Sequence, residues 1–405
     1  MNSSAEINRI VGGSHVHSPL SQESAEVQGT DHRKPHSHRA LRGLSVTGEA
    51  VGHLRCLDTM RGFASLGVLV FHTVEAFTGD DTSPTVALIK NLVLTFFCLG
   101  MPGMRIPLFF MISGFSNHLK SARTKASGEV YDLEPGEFLK RRVRKLYPSY
   151  VVALTISCGI MLAGLIAGHQ LMTVENYPGH RYAFLAFDYV AHLLFLHGFI
   201  SFFDRGAGNG PLWTMAREAQ FFLLYIPLHA FRSRFRLRTC VILSFVCCFV
   251  SLAVAELLQD SYPHLAYAFG RSGLAYWPYW VLGMAAVEMC YGLAPGRGKI
   301  VSPLGFLIAG SIYAGDQLGT SSKPFLNLVL LGVTLFLFVM YLVNTEQAGK
   351  WPRVGPIRWF ERAGKYSYHL FLIHAPILLL MGRALRNWET STSVVHLLMA
   401  CILNI

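Results

Sequence analysis

Charge is what this sequence has least of. Only 15% of its 405 residues are Asp, Glu, Lys or Arg, against about 25% in a typical soluble domain, which argues against an ordinary water-soluble enzyme. Its eight cysteines form no C-x-x-C pair and sit mostly inside or beside apolar runs, which argues against both a disulfide framework and a structural zinc site; no metal centre is expected. No cleavable signal peptide is visible. The first 50 residues are polar and rich in Ser, His, Gly and Glu, so residues 1–53 read as a disordered polar region. The glycine-rich stretch GLAPGRGK (292–299) lacks the G-x4-G-K-[ST] spacing of a phosphate loop and reads as a short connection.

What is there is apolar surface. The chain is 52% hydrophobic, and repeated apolar runs of roughly 17–25 residues make it an all-α polytopic membrane protein. Spans are predicted near 60–77, 106–119, 146–168, 213–231, 238–258, 274–292, 301–316, 326–344 and 366–386. A tenth begins at Val394 and stops at Ile405, short of the ~17 residues a crossing needs, so the chain looks cut off or unusually short at its end. The domain expected is 54–405, with about ten transmembrane helices.

The formal charge of +11 raises the possibility of nucleic acid, but in a membrane chain it reads as lysine and arginine in cytoplasmic loops. Basic residues crowd 118–145, 232–238, 297–299 and 350–365. All four segments fall on one side if the N-terminus is cytosolic and 183–203 does not cross. That stretch and 86–101 therefore read as re-entrant or interfacial helices in outer loops. No nucleic acid partner is expected; the lipid bilayer is.

Polar residues inside the apolar runs then carry the functional question. In RGFASLGVLVFHT (Arg61–Thr73), only Ser65 breaks the apolar run between Arg61 and His72. Eleven residues make about three turns, so both side chains share one helix face, roughly 16 Å apart. Ionisable residues in a span are costly and usually line a cavity or reaction path. The alternative is a neutral histidine bonded to another helix, with Arg61 a plain cytoplasmic anchor. Glu75 lies on the same face and either orients the ring or points into a loop. In FLKRRVRKLYPSY (Phe138–Tyr150), Arg141, Arg142 and Arg144 precede the third span. They either fix topology or bind a cytosolic polyanion, since arginine forks match phosphate geometry. In PLWTMAREAQFFLLY (Pro211–Tyr225), Arg217 and Glu218 enter a span side by side, the glutamate as proton acceptor, substrate hook or ion-pair member. YSYHLFLIHAP (Tyr366–Pro376) places His369 and His374 in one helix, the deeper His374 being either reactive or a core histidine.

Taken together these pieces resemble the acyltransferase 3 family of membrane O-acyltransferases, from about Leu54 to Pro376. The resemblance rests on five segments in the family's order. They are the R-x10-H pair Arg61/His72, LFFMISGF (Leu108–Phe115), the R-x-x-R of Arg141/Arg144, PLWTMAREAQFFLLY, which is similar to L-W-S-L-x-x-E-x-x-F-Y-L-L, and YSYHLFLIHAP. The chain departs from the family with Thr214 and Met215 for Ser and Leu, with Arg217 before the glutamate, and in lacking a fused esterase-like domain. The resemblance implies transfer of an acyl group, acetyl being the commonest, from acyl-CoA as co-substrate to a hydroxyl-bearing sugar, lipid or small molecule, with no tightly bound cofactor. It makes His72 the general base, its pKa near neutrality suiting proton removal. Arg61, Arg141, Arg142 and Arg144 become donor-phosphate residues at the cytoplasmic mouth, and Glu218 an acceptor-binding residue. Ser113, Trp213 and His374 are candidate site-lining residues.

A multi-pass transporter or flippase would also keep ionisable residues in its spans, usually with inverted repeats. No such repeat is visible here, and the basic cluster is one-sided. The segments 169–212 and 259–273 are expected to shape acceptor choice.

Overall fold

The computed structural model describes residues 54–78, 88, 103–167, 180–203, 208–295, 303–318 and 324–386. The expected N-terminal region 1–53, nearly all of 86–101 and the span expected from Val394 lie outside the described residues. Those described contain helices and short 3-10 turns and no strand. The helices are α1 (Arg55–Thr78), α2 (Arg105–Ala126), α3 (Pro135–Ile166), α4 (Arg181–Leu193), α5 (Trp213–Arg234), α6 (Leu237–Leu258), α7 (Pro263–Gly270), α8 (Gly273–Cys290), α9 (Pro303–Leu318), α10 (Pro324–Gln347) and α11 (Gly355–Arg386).

Three helices are long and apolar enough to cross a membrane by length and composition alone, within Pro135–Ile166, Leu237–Leu258 and Phe325–Gln347. About ten transmembrane helices were expected, and among the described residues three meet this measure. The helices α1, α2, α5 and α11 carry charged residues at one end or along one face, so they fail a test of uniform apolarity. Around them, Ile156, Leu162, Leu223, Ile242, Val246, Phe249, Leu307, Ile308 and Ile373 project outward uncovered. A soluble monomer rarely exposes apolar surface on that scale.

Two close helix pairs frame the molecule. On α1 and α11, Arg55 meets Glu361 at 2.8 Å and the His72 ring meets that of His374 at 5.4 Å. The contacts advance together along both chains, so the helices run parallel. A methyl group at Gly62 would collide with the Phe360 carbonyl, and one at Gly114 with the Trp280 carbonyl of α8. Glycine there lets the backbones touch, as small residues do between membrane helices. The N-terminal end of α1 is fixed by Glu346 of α10, whose Oε1 accepts from the Arg55 amide and Oε2 from the Cys56 amide, both at 2.8 Å, satisfying free donors of a helix start.

The helices α2 and α5 also run parallel. Ser113 pairs with Glu218, His118 with Tyr225 and Ser121 with His229. Between them lie α3, 32 residues and about 48 Å long, and the short α4 of 13 residues. At about 20 Å, α4 falls short of the ~30 Å hydrocarbon core. Its end turns sharply at Phe195, whose φ is 56°, into 3-10 turns at Leu196–Gly198 and Ser201–Phe203.

Candidate functional site

The packing of antiparallel α2 against the parallel pair α1 and α11, closed on the remaining sides by α3 and α5, leaves a cavity of about 520 Å³. One end is polar. There Arg61 Nη1 donates to Asp58 Oδ1 at 3.0 Å and Nη2 to Ser116 Oγ at 2.6 Å. Arg142 and Lys145 of α3 and Lys365 and His369 of α11 line the same end. Lys145 lies just before the apolar part of α3. Desolvation, then the neighbouring Arg142 and Arg61 cations, pull its pKa down from the ordinary lysine value. Cations crowded closely enough to disfavour one another make a site for an anion.

Midway along the cavity, Ser113 Oγ donates to Glu218 Oε2 at 2.8 Å. Asn117 Nδ2 donates to the Ser113 carbonyl at 2.8 Å and hydroxyl at 3.0 Å. Positions 113, 116 and 117 fall on one face of α2 because three- and four-residue steps stack on a helix. The opposite end is apolar, walled by Ile106, Phe109, Phe110, Met215 and Phe371. From Asn117 to Ile106 is eleven residues of α2, about 16 Å of depth.

Of the residues predicted from sequence, Arg61, Arg142, Ser113 and Glu218 line this cavity together. Glu218, which the resemblance makes an acceptor-binding residue, faces the same chamber as the cations. Its neighbour Arg217 points elsewhere, donating from Nη1 to the Gly198 carbonyl at 3.1 Å with its guanidinium 5.5 Å from the Trp213 ring. Trp213 stands behind the wall, packed edge-on against Phe110. Arg141 and Arg144 are exposed and outside the cavity. The helix turn that brings Arg142 and Lys145 inward carries both of them outward.

His72 and His374 also lie outside the cavity lining, stacked on each other at 5.4 Å and 29°. His374 is buried at 3% exposure. Its Nδ1 donates to the Phe371 carbonyl at 2.7 Å, while Nε2 has no hydrogen-bond partner among the described residues. The neutral ring so held offers Nε2 as an acceptor. The Phe371 ring lies 5.6 Å from that of His374, so the histidine pair adjoins the apolar end of the cavity. The Glu75 side chain, the suggested orienter of His72, lies outside the described residues.

Lys145, Lys365, Ser116 and Asn117 were missed as site residues. The spacing in ISGFSN (112–117) held the signal for the two polar ones. A second polar cluster was also missed, on the side of 183–203: Asp188 and His192 in contact at 2.8 Å, with the His192 and His197 rings stacked at 3.9 Å. Among the described residues no group of three or more His, Cys, Asp or Glu is placed to hold a metal.

A family model described as "Acyltransferase domain", that of acyltransferase 3, matches residues 54–405. The chain is 28% identical over 172 residues to "Protein 2 in picA locus" of Rhizobium radiobacter, covering 40% of this chain and 75% of that protein. No solved structure matches. With its family signature spanning the whole helical region and its apolar helices, the chain belongs to the acyltransferase 3 family and is an integral membrane acyltransferase that transfers groups other than aminoacyl groups.

Proposed function

We propose that this protein is a multi-pass membrane O-acyltransferase that takes an acyl group, acetyl in the expected case, from acyl-CoA on the cytosolic side. The group passes to a hydroxyl of a sugar, lipid or small molecule. The observation that carries this reading is the cavity itself, cationic at one end, hydrogen-bonding in the middle, apolar at the other end and adjoining a buried histidine pair. Arg61, Arg142, Lys145 and Lys365 would hold the donor's phosphates. The thioester-bearing arm would run past Ser113, Asn117 and Glu218, whose polar groups suit its amides. His72 would take the proton from the acceptor hydroxyl as its oxygen attacks the thioester carbonyl carbon. The carbon–sulfur bond then breaks, and the thiolate leaves and recovers a proton. General-base assistance of this kind is typically worth about 10²–10⁴-fold.

The orientation follows from charge and packing. Lysine and arginine mark the cavity's polar end as cytosolic. Parallel α2 and α5 need an odd number of crossings between them. That supports α3 crossing alone, with 183–203 on the outer side and the N-terminus inside. Cysteine-accessibility labelling is expected to place 232–238 and 183–203 on opposite sides of the membrane, and a shared side would overturn the topology. The activity is tested with purified protein and acyl-labelled acetyl-CoA. Labelled acyl release or transfer is expected, whereas donor neither bound nor consumed would remove the reading.

A further inference from the structure

Two rings in contact with each other stand at the end of the cavity nearest the histidine pair. Phe109 of α2 and Phe371 of α11 both line the apolar end, edge to face with centroids 5.8 Å apart. That end lies opposite Arg61, Ser116 and Gly364. On the far side of Phe371 stands His374, and beyond it His72. Phe371 serves both sides of this boundary. Its ring walls the cavity, and its backbone carbonyl holds the His374 Nδ1 proton, leaving Nε2 as a buried acceptor without a partner among the described residues.

The neighbouring wall residue is built differently. Phe110 is braced by Phe221 at 4.9 Å, Tyr276 at 5.7 Å and Trp213 at 6.4 Å, a rigid aromatic packing. Among the ring contacts of the described residues, Phe109 meets only Phe371. The ring contacts of the wall nearest the histidines are thus Phe109 with Phe371 and Phe371 with His374.

Resting on the acyl-CoA reading above, we propose that the Phe109–Phe371 pair is the acyl-size determinant of this enzyme. It closes the donor cavity toward the histidines and admits only short acyl groups to them. A donor arm filling the roughly 12 Å of α2 from Asn117 to Phe109 brings its thioester up to these rings. An acetyl group places the carbonyl at the boundary with one methyl beyond the carbonyl carbon. A longer chain has to displace aromatic rings from a packed wall, and close-packed interiors resist added methylenes.

The test uses the full chain in nanodiscs with acetyl-, butyryl- and octanoyl-CoA. It follows release of free CoA thiol as water or an added hydroxyl attacks the acyl carbon and the carbon–sulfur bond breaks. The readout is the octanoyl-to-acetyl rate ratio within one preparation, which cancels differences in folded fraction. Wild type is expected to favour acetyl. Phe109→Ala is expected to raise the ratio about tenfold or more, the scale on which pocket methylenes discriminate. Phe371→Leu, a milder change at the more buried ring, is expected to raise it in the same direction, and Phe109→Trp to lower it. Thiol release with an unchanged ratio in all three variants would overturn the size determinant alone. No release from any donor by wild type would overturn the donor reading, and the determinant with it.

Discussion

Two carboxylates meet α2 from neighbouring helices, little more than one turn apart, and only one of them faces a chamber. Glu218 accepts from Ser113 and lines the cavity. Five residues further along α2, His118 donates from Nε2 to Glu288 at 2.9 Å and accepts at Nδ1 from Tyr225 at 3.0 Å. Arg232 completes that network, donating from Nε to both Glu288 oxygens at 3.0 Å and from Nη2 at 2.6 Å. His118 and Glu288 are both 0% exposed and neither lines the cavity. A buried histidine beside a carboxylate is a catalytic arrangement in outline, yet here its bonding capacity is spent on neighbours. What distinguishes a site from a strut in this protein is open space beside the polar group, not the identity of the group.

The comparison breaks most visibly in stability. Glu288→Ala strands the His118 and Arg232 partners, and removal of one member of a buried pair typically costs about 3–5 kcal/mol. A clear fall in the thermal unfolding midpoint of detergent-solubilised protein is expected, with turnover per folded molecule retained. Glu218→Gln is expected to do the reverse, preserving the midpoint and lowering turnover. Equal effects of the two substitutions on both readouts would erase the distinction.

A smaller effect sharpens the boundary of the donor site. Arg142→Ala and Lys145→Ala each remove a cation from the cavity mouth. Loss of a charge-assisted contact worth about 1.5 kcal/mol corresponds to roughly a tenfold rise in KM for acyl-CoA. Turnover is expected to change little, because such a contact binds ground state and transition state alike. Arg141→Ala and Arg144→Ala, on the exposed side of the same helix, are expected to change KM by about twofold or less. Larger effects at 141 and 144 than at 142 and 145 would return the donor site to the R-x-x-R pair.

Much of this organisation was legible in the residues. The apolar runs anticipated an all-helical chain, and 183–203 falls on the short α4 and its 3-10 turns. Polar residues in apolar runs pointed to Arg61, Ser113 and Glu218, which do share one cavity. Helical phase within a charged run was not legible. In KRRVRK every residue is basic but one, so neither pattern nor composition says which two of them turn inward. Nor was it legible that Glu288, a lone acid in VLGMAAVEMC, would be neutralised by partners from two other helices. Contacts between helices distant in the chain leave little trace in local spacing. The position of His72 outside the cavity that Arg61 lines is of the same kind. The sequence brings Arg61 and His72 onto one helix face, and only packing decides which of them faces the cavity.

The most direct test of the mechanism is the specific activity of His72→Gln, measured as acyl release from labelled acetyl-CoA alongside donor binding to the same preparation. Glutamine keeps a hydrogen-bonding side chain at position 72 but cannot take a proton at neutral pH. The expected result is unchanged donor affinity and thermal stability, with turnover lowered by about 10²–10⁴-fold. Normal specific activity in folded His72→Gln would contradict a proton-accepting role for this histidine.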